Sequence, residues 1–282
     1  MDESQTLKHF LNISIPVIIA IINLVEIILI IRLKRKKTFQ TVLLSLSVSD
    51  LLFGLSSATV YIVLSFGLSG GGVLNITIAF TFFFVLTSIF HLLFIALDTL
   101  YAIVKPILHK VHMTKKKNYM ILAAIWLVSI AIALGIYLAV RNGFDGYDLK
   151  HNGNFSMNIT ELKHPDVKPY NNIVDIDIYI VMRNLLSYVI IGADALLVIC
   201  YAVIIYTVKF RKVKSNKNKT QNKIRIVCVF IMLLFVAFTL PYAIETLSSS
   251  EPWFEFDLII ISNSGMNSII YFFRNKCGKH SK

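Results

Sequence analysis

The chain has 282 residues, of which 56% are hydrophobic and 16% charged, and its mean hydropathy is +0.70. Soluble domains carry about a quarter of their residues as charges, so this balance excludes a water-soluble globular protein and points to one that lives in lipid. The formal charge of +12 does not indicate nucleic-acid binding, because 22 of the 28 Lys and Arg fall in four clusters, at 32–37, 105–117, 209–225 and 274–282, set between or beside apolar stretches.

Seven apolar segments follow in chain order, at 14–33, 41–67, 73–104, 119–140, 177–210, 224–247 and 253–273. A helix needs about 20 residues to cross a bilayer. Lipid leaves no partner for an unpaired backbone group, and period-2 alternation is absent, so the segments predict helices of one all-α, seven-transmembrane bundle. The basic clusters share one side of these spans, and nearly all the loop acids lie on the other. That asymmetry puts the amino terminus outside and the carboxyl terminus inside. An odd number of spans requires opposite-sided termini on independent grounds. The third segment is too long for a ~30 Å hydrocarbon core, so it is expected to tilt or to project into the cytosol.

The first apolar run is long enough to be a span, and no cleavable signal peptide is expected before it. The longest connection, about 141–175, is expected to be an outside loop without clear periodicity. Asn154 and Asn158 in that loop, and Asn12 near the start, open Asn-x-Ser/Thr acceptors for glycosylation where they face the lumen. Asn218 fits the same tripeptide on the predicted cytosolic side, so the motif alone decides little. Cys200 and Cys228 fall inside spans, which leaves no extracellular disulfide within the chain. Cys277 lies in the short cytoplasmic tail, 274–282, beside basic residues just inside the membrane, where palmitoylation is a reasonable expectation.

The stretch 43–52, LLSLSVSDLL, carries one carboxylate, Asp50, in the middle of the second span. An ionised side chain there is costly, and such residues face the protein interior or a water-filled cavity and mark ion or proton chemistry. Glu26, His91 and Asp194 also lie within spans, which keeps a transporter or proton-conducting protein open as an alternative. Against it stand the lack of inverted repeats and of paired helices broken by Gly or Pro. No metalloprotease, nucleophile-elbow or phosphate-loop motif is present, and no enzyme is expected.

Ordered marks on successive spans resemble the rhodopsin-like (class A) family of G-protein-coupled receptors. The first span has Asn23 in INLVEIILI and the second has Asp50. The third ends in IALDTLYAIVKPILH, similar to the family's DRYLAIxxPL. The fourth has Trp126, the fifth CYAVIIY, the sixth FVAFTLPY, and the seventh NSGMNSIIYFF, similar to the NPxxY signature. The resemblance implies a cell-surface receptor of the plasma membrane that binds an extracellular ligand and signals to a heterotrimeric G protein. It also implies a sodium and water pocket formed by Asp50, Ser88, Asn263 and Asn267, with Asn23 beside it. Hard oxygen donors of this kind suit such a cation. Ser88 and Asn263 would equally serve as plain interhelical hydrogen-bond formers. The resemblance assigns the activation switch to Asp98, Thr99, Tyr201, Phe235, Pro241 and Tyr271, with Pro241 kinking the sixth helix.

The sequence departs from the family at several of these positions. Thr99 replaces the Arg that follows the acid of the third helix, so usual G-protein contact is in doubt and Asp98 reads as a solvated helix-end charge. Thr239 replaces the Trp beneath the ligand pocket, Ser268 the Pro of the seventh-helix signature, and Ala193 the usual fifth-helix Pro. The cysteine at the outer end of the third helix is absent, near Leu74. Absence of that cysteine and that Pro gives a weak resemblance to the melanocortin and lipid-receptor branch. Ligand-pocket positions implied by the family include Thr81, Phe82, Val85, Tyr242, Glu245, Thr246, Asp257 and Ile261. Thr81 stands where amine receptors carry an Asp. Glu245, Glu251, Glu255 and Asp257 nevertheless form an acidic rim that favours a cationic peptide or amine over a lipid ligand.

Overall fold

The computed structural model describes residues 3–32, 38–65, 71–150, 173–210, 236–237, 239–244, 246–247 and 264. Regular structure among the described residues is entirely helical. The described residues include six helices: α1 (Glu3–Ile31), α2 (Thr38–Ser65), α3 (Gly71–Val104), α4 (Pro106–His112), α5 (Lys115–Lys150) and α6 (Ile173–Phe210). Five of them contain stretches apolar enough and long enough to cross a membrane, at Phe10–Ile31, Phe39–Val63, Ile76–Val104, Lys115–Leu138 and Asn184–Thr207.

The helices outrun the apolar stretches from which they are predicted. α1 begins at Glu3, and α5 runs on to Lys150 through residues expected to be loop. Once a helix is nucleated, each added residue gains a backbone bond for one more pair of dihedrals, so it propagates into polar sequence that no periodicity marks. α3 spans 34 residues, which at 1.5 Å each is about 50 Å and exceeds the hydrocarbon core as expected. It ends where Pro106 removes a backbone N–H and crowds the preceding turn. The same Pro is preorganised as the first residue of α4, and the Met113 N–H closes that short helix on the His109 carbonyl.

α1 shows how the bundle sorts its surface. Ile19, Ala20, Asn23, Glu26 and Ile30 recur at intervals of three and four and are buried, whereas Ile18, Ile21, Ile22, Leu24, Val25, Ile28 and Leu29 face outward. Aliphatic residues turned out and polar ones turned in suit lipid as the surrounding solvent. α1 packs closely on α2 at Gly54, where a Cβ would lie 2.8 Å from the Pro16 carbonyl oxygen and 3.2 Å from the Ala20 Cβ. Small residues permit such backbone approach between membrane helices. α3 is the central column, packed against α2, α4, α5 and α6.

The buried apolar residues form two stacked cores. Phe53, Tyr61, Phe82, Phe83, Val85, Leu86, Ile89, Leu186, Ile190, Ala193 and Tyr242 belong to one. Val42, Leu43, Leu46, Leu92, Ile95, Ala96, Leu122, Leu197, Cys200, Tyr201 and Ile204 belong to the other. Every helix that contributes to both cores passes from one to the other near its middle, and Asn23, Asp50, His91 and Asp194 lie at or near those crossings.

Candidate functional site

Asp50 lies between Leu46 of one core and Phe53 of the other, Asp194 between Ala193 and Leu197, and Ser88 one turn before Leu92, where the second core begins on α3. Asn23, His91 and Thr239 occupy the same register on their own segments, and all six side chains are buried. The result is a polar layer sandwiched between two apolar ones. Buried polar groups persist only when they are hydrogen-bonded, so their partners define what the layer holds together.

Three interhelical links cross it. The first joins α2 and α3, where the Ser88 hydroxyl donates to Asp50 Oδ1 at 2.7 Å. The Asp50 side chain is fully buried and Ser88 nearly so. Asn23, fully buried on α1, turns its Nδ2 back to the Ile19 carbonyl at 3.0 Å. The hydroxyls of Ser47, Ser49 and Thr87 likewise donate to carbonyls of the preceding turn, a local satisfaction typical of hydroxyls inside helices.

The second link joins α2, α3 and α5. His91 Nδ1 lies 2.6 Å from the Thr87 carbonyl, which can only accept, so Nδ1 carries the hydrogen. His91 Nε2, 2.7 Å from Ser45 Oγ, then accepts from the serine hydroxyl. The same Oγ accepts from Trp126 Nε1 at 2.9 Å. Every donor in this chain thus has one acceptor, and the imidazole tautomer follows from its surroundings. Trp126 also stands edge-on to Phe83 at 5.7 Å and to His91 at 6.3 Å between ring centres.

The third link joins α6 to the segment around Pro241. Thr239 Oγ1 donates to Asp194 Oδ2 at 2.8 Å, and both side chains are buried. Asp194 Oδ1 is buried with no hydrogen-bond partner among the described residues. Thr239 therefore replaces an aromatic ring with a polar contact that binds two helices.

Outside this layer, the structure corrects the expectation for Asp98. It is no solvated helix-end charge: Asp98 Oδ1 lies 2.8 Å from His109 Nε2 on α4. The neighbouring Thr99 is half-buried and supplies no charge. Tyr201 is buried in the core that contains Leu197 and Ile204. Phe82, Val85 and Tyr242 lie together in the other core, Thr246 is buried, and Thr81 is half-buried with its hydroxyl donated to the Thr77 carbonyl at 2.9 Å. Pro241 is exposed on its helical turn, and Asn12 is half-buried on α1. Asn154, Asn158, Phe235, Glu245, Glu251, Glu255, Asp257, Ile261, Asn263, Asn267, Ser268, Tyr271 and Cys277 lie outside the described residues.

Sequence reasoning misses the partners rather than the anchors. Ser45, His109 and the pairing of Thr239 with Asp194 carry no spacing signal, because each bond joins different helices. The one available hint is composition: hydroxyls at 45, 47 and 49 in an otherwise apolar run invite cross-helix bonding. For the transport alternative, Asp50, His91 and Asp194 each bond a different partner, and no relay of contiguous bonds joins them among the bonds described here.

Residues 22–271 match the family described as 7 transmembrane receptor (rhodopsin family). A 51-residue stretch, 18% of this chain, is 49% identical to the octopamine receptor beta-2R of Chilo suppressalis, of which it covers 13%. Over 136 residues, 45% of the chain, it is 35% identical to trace amine-associated receptor 2 of Rattus norvegicus, of which it covers 39%. The matched segments thus span well under half the length of either relative. The family match covers most of the chain and agrees with the helical structure of the described residues, whose helices turn polar groups inward and aliphatic ones outward. The chain belongs to the rhodopsin family of seven-transmembrane receptors, plasma-membrane proteins that are receptors and not enzymes.

Proposed function

We propose that the protein binds a small cationic ligand from outside the cell and transmits a change of helix packing to a heterotrimeric G protein. The observation that carries this reading is the buried Asp50–Ser88 bond within a polar layer between two apolar cores. Close-packed apolar cores resist sliding, whereas a layer of hydrogen bonds has discrete alternative partners. Such a layer is where two packings of one bundle exchange, and a ligand acts by favouring one of them. Pro241 lies two residues from Thr239, so the bend expected at this Pro would fall in the same turn as the Thr239–Asp194 bond. Tyr201, Phe235 and Tyr271 remain the further switch positions on this reading.

Asp50 and Ser88 offer hard oxygen donors at one point, in keeping with a sodium ion that Asn23, Asn263 and Asn267 help to enclose. A cation held there supplies a positive charge opposite Asp50 and stabilises whichever packing keeps these donors together. Among the described residues no group of three or more His, Cys, Asp or Glu forms a transition-metal site.

Two relatives that bear amine-receptor names support an amine as the ligand class. They lend no support to the melanocortin and lipid branch. Thr81 cannot pair with an ammonium as a carboxylate does, and its hydroxyl is already committed to Thr77. The charge of the ligand then falls to the acidic rim, Glu245 and Asp257 first. On the cytosolic side, Ile107 and Val111 of α4 are 79% and 66% exposed on one helical face. Exposed apolar residues beside Lys105 and Lys110 form a surface suited to a protein partner.

The test is nucleotide exchange on purified G proteins driven by the receptor in nanodiscs, with a panel of biogenic amines, for the native chain and Thr99→Arg. Exchange by the native chain establishes coupling. Exchange only after Thr99→Arg favours a second reading, suggested by Thr99 itself, of a receptor-like protein that does not couple in the usual way. Amine binding that is unchanged when Glu245 and Asp257 are both neutralised would sink the acidic-rim assignment.

A further inference from the structure

The end of α3 and the short α4 meet through two contacts in parallel. Asp98 and Tyr101 are three residues apart on α3, and His109 and His112 are three apart on α4, so each pair lines one helical face. Asp98 Oδ1 lies 2.8 Å from His109 Nε2, and the Tyr101 hydroxyl lies 2.9 Å from His112 Nδ1. The Tyr101 ring also stands edge-on to His109 at 5.5 Å. The Asp98 and His109 side chains retain 27% and 24% of their exposure, so protons reach them freely. Between the two helices Pro106 interrupts the backbone ladder. The Lys105 N–H still bonds the Tyr101 carbonyl and the His109 N–H the Lys105 carbonyl, so side chains hold α4 together with these backbone bonds.

A carboxylate can only accept, so His109 Nε2 carries a hydrogen whether the ring is neutral or charged. The ionised Asp98 makes this bond charge-assisted already; protonation at Nδ1 adds a positive charge and turns it into a partly exposed ion pair. Histidine side chains in general change charge between about pH 5 and 8. Among the described residues, Asp98 and Tyr101 of α3 contact His109, and the titratable or charged groups nearest to it in sequence are Lys110 and His112 of α4 and Lys105 at the joint. Asp98 is the one carboxylate among them. Positive neighbours would loosen the latch if that carboxylate were neutral.

We propose that Asp98 and His109 form a proton-responsive latch that holds α4 against the end of α3, firm when His109 is charged and looser when it is neutral. The latch stands on the geometry of these two helices; only its effect on a G protein rests on the function proposed above. On that reading the latch positions Ile107 and Val111, and cytosolic pH sets how steadily they are presented. The sign follows from the pair: the hold is strongest where His109 is protonated and Asp98 ionised, and weakens as pH rises.

The test is the mobility of a spin label at Lys110→Cys, on exposed α4, in the full chain with Cys200, Cys228 and Cys277 replaced, reconstituted in nanodiscs so that one buffer reaches both faces. Between about pH 5.5 and about 8.5 the mobile-to-immobile ratio rises about two- to fivefold, the range that a partly exposed ion pair contributes. His109→Gln, which bonds but does not titrate, abolishes the rise, and His112→Gln preserves it. Asp98→Asn still accepts the bond but lacks the charge, so the rise is lost there too. A flat ratio in the otherwise native chain, or a rise that survives in His109→Gln, overturns the proposal. Should Asp98→Asn fold poorly, the comparison of His109→Gln with His112→Gln decides alone. The measurement needs neither ligand nor G protein, so a chain that activates no G protein still tests the latch, and a failed latch leaves the receptor reading standing.

Discussion

Ser45→Ala removes one oxygen and breaks two bonds. In the native packing that hydroxyl accepts from Trp126 Nε1 at 2.9 Å and donates to His91 Nε2 at 2.7 Å. Interhelical hydrogen bonds in membrane proteins contribute on average about 0.6 kcal/mol and at most about 1.7. The two together give an expected loss of about 1–3 kcal/mol. His91 cannot recover by changing tautomer, because Nδ1 must keep its hydrogen for the Thr87 carbonyl. Equilibrium unfolding in mixed micelles measures the loss, and a cycle with Trp126→Phe identifies its origin. Part of the Ser45→Ala cost is the stranded indole N–H, so the double variant costs less than the two single ones added together. A Ser45→Ala change within about 0.3 kcal/mol of the native chain, or strict additivity with Trp126→Phe, would refute this account of the α2–α3–α5 junction.

Gly54→Ala sets a Cβ against the Pro16 carbonyl, which as backbone cannot swing aside, and is expected to destabilise the α1–α2 contact by about 1–3 kcal/mol. Gly135→Ala, with nothing within 4 Å, is expected to stabilise by roughly 0.5–1 kcal/mol, and the same unfolding assay reads both signs. Thr239→Val leaves Asp194 without its bond from the sixth helix and is expected to cost about 1–3 kcal/mol, whereas Thr239→Val with Asp194→Leu returns close to the native value. A double variant as unstable as the single one would count against that pairing. Asp50→Asn is expected to abolish any sodium dependence of basal activity or ligand affinity, measured by titrating NaCl against a potassium control; dependence that persists in Asp50→Asn removes the ion from this site.

The architecture was legible because lipid restricts the choices. Seven apolar stretches alternating with basic clusters left little besides a helical bundle. Asp50 was legible for a related reason, since a carboxylate amid leucines has to face inward. Ser88 followed from the family resemblance, and its bond to Asp50 measures 2.7 Å. Helix ends were not legible, because polar residues such as those of 141–150 extend a helix once it has started. Nor were the cross-helix partners. Ser45 reaches His91 over 46 positions and Trp126 over 81, and Thr239 reaches Asp194 over 45. Such distances lie beyond any local periodicity.

Two of the positions at which the sequence departs from the pattern it resembles, Thr99 and Thr239, lie beside or within contacts between helices. Losing the charged neighbour at Thr99 would leave Asp98 with an uncompensated carboxylate at the end of a long apolar helix. A histidine from α4 takes that place, within hydrogen-bonding distance. Losing the aromatic ring at Thr239 would leave a gap between the fifth and sixth helices. A threonine fills less volume but can donate, and Asp194 offers the acceptor. In each case a substitution that reads as damage in isolation is half of a pair whose other half lies on another helix. The two pairs differ in kind. Thr239–Asp194 is buried and apolar groups could replace both members at little cost, whereas Asp98–His109 keeps part of its exposure to solvent. Unfolding measurements therefore read the first pair, and the mobility of a spin label on α4 reads the second.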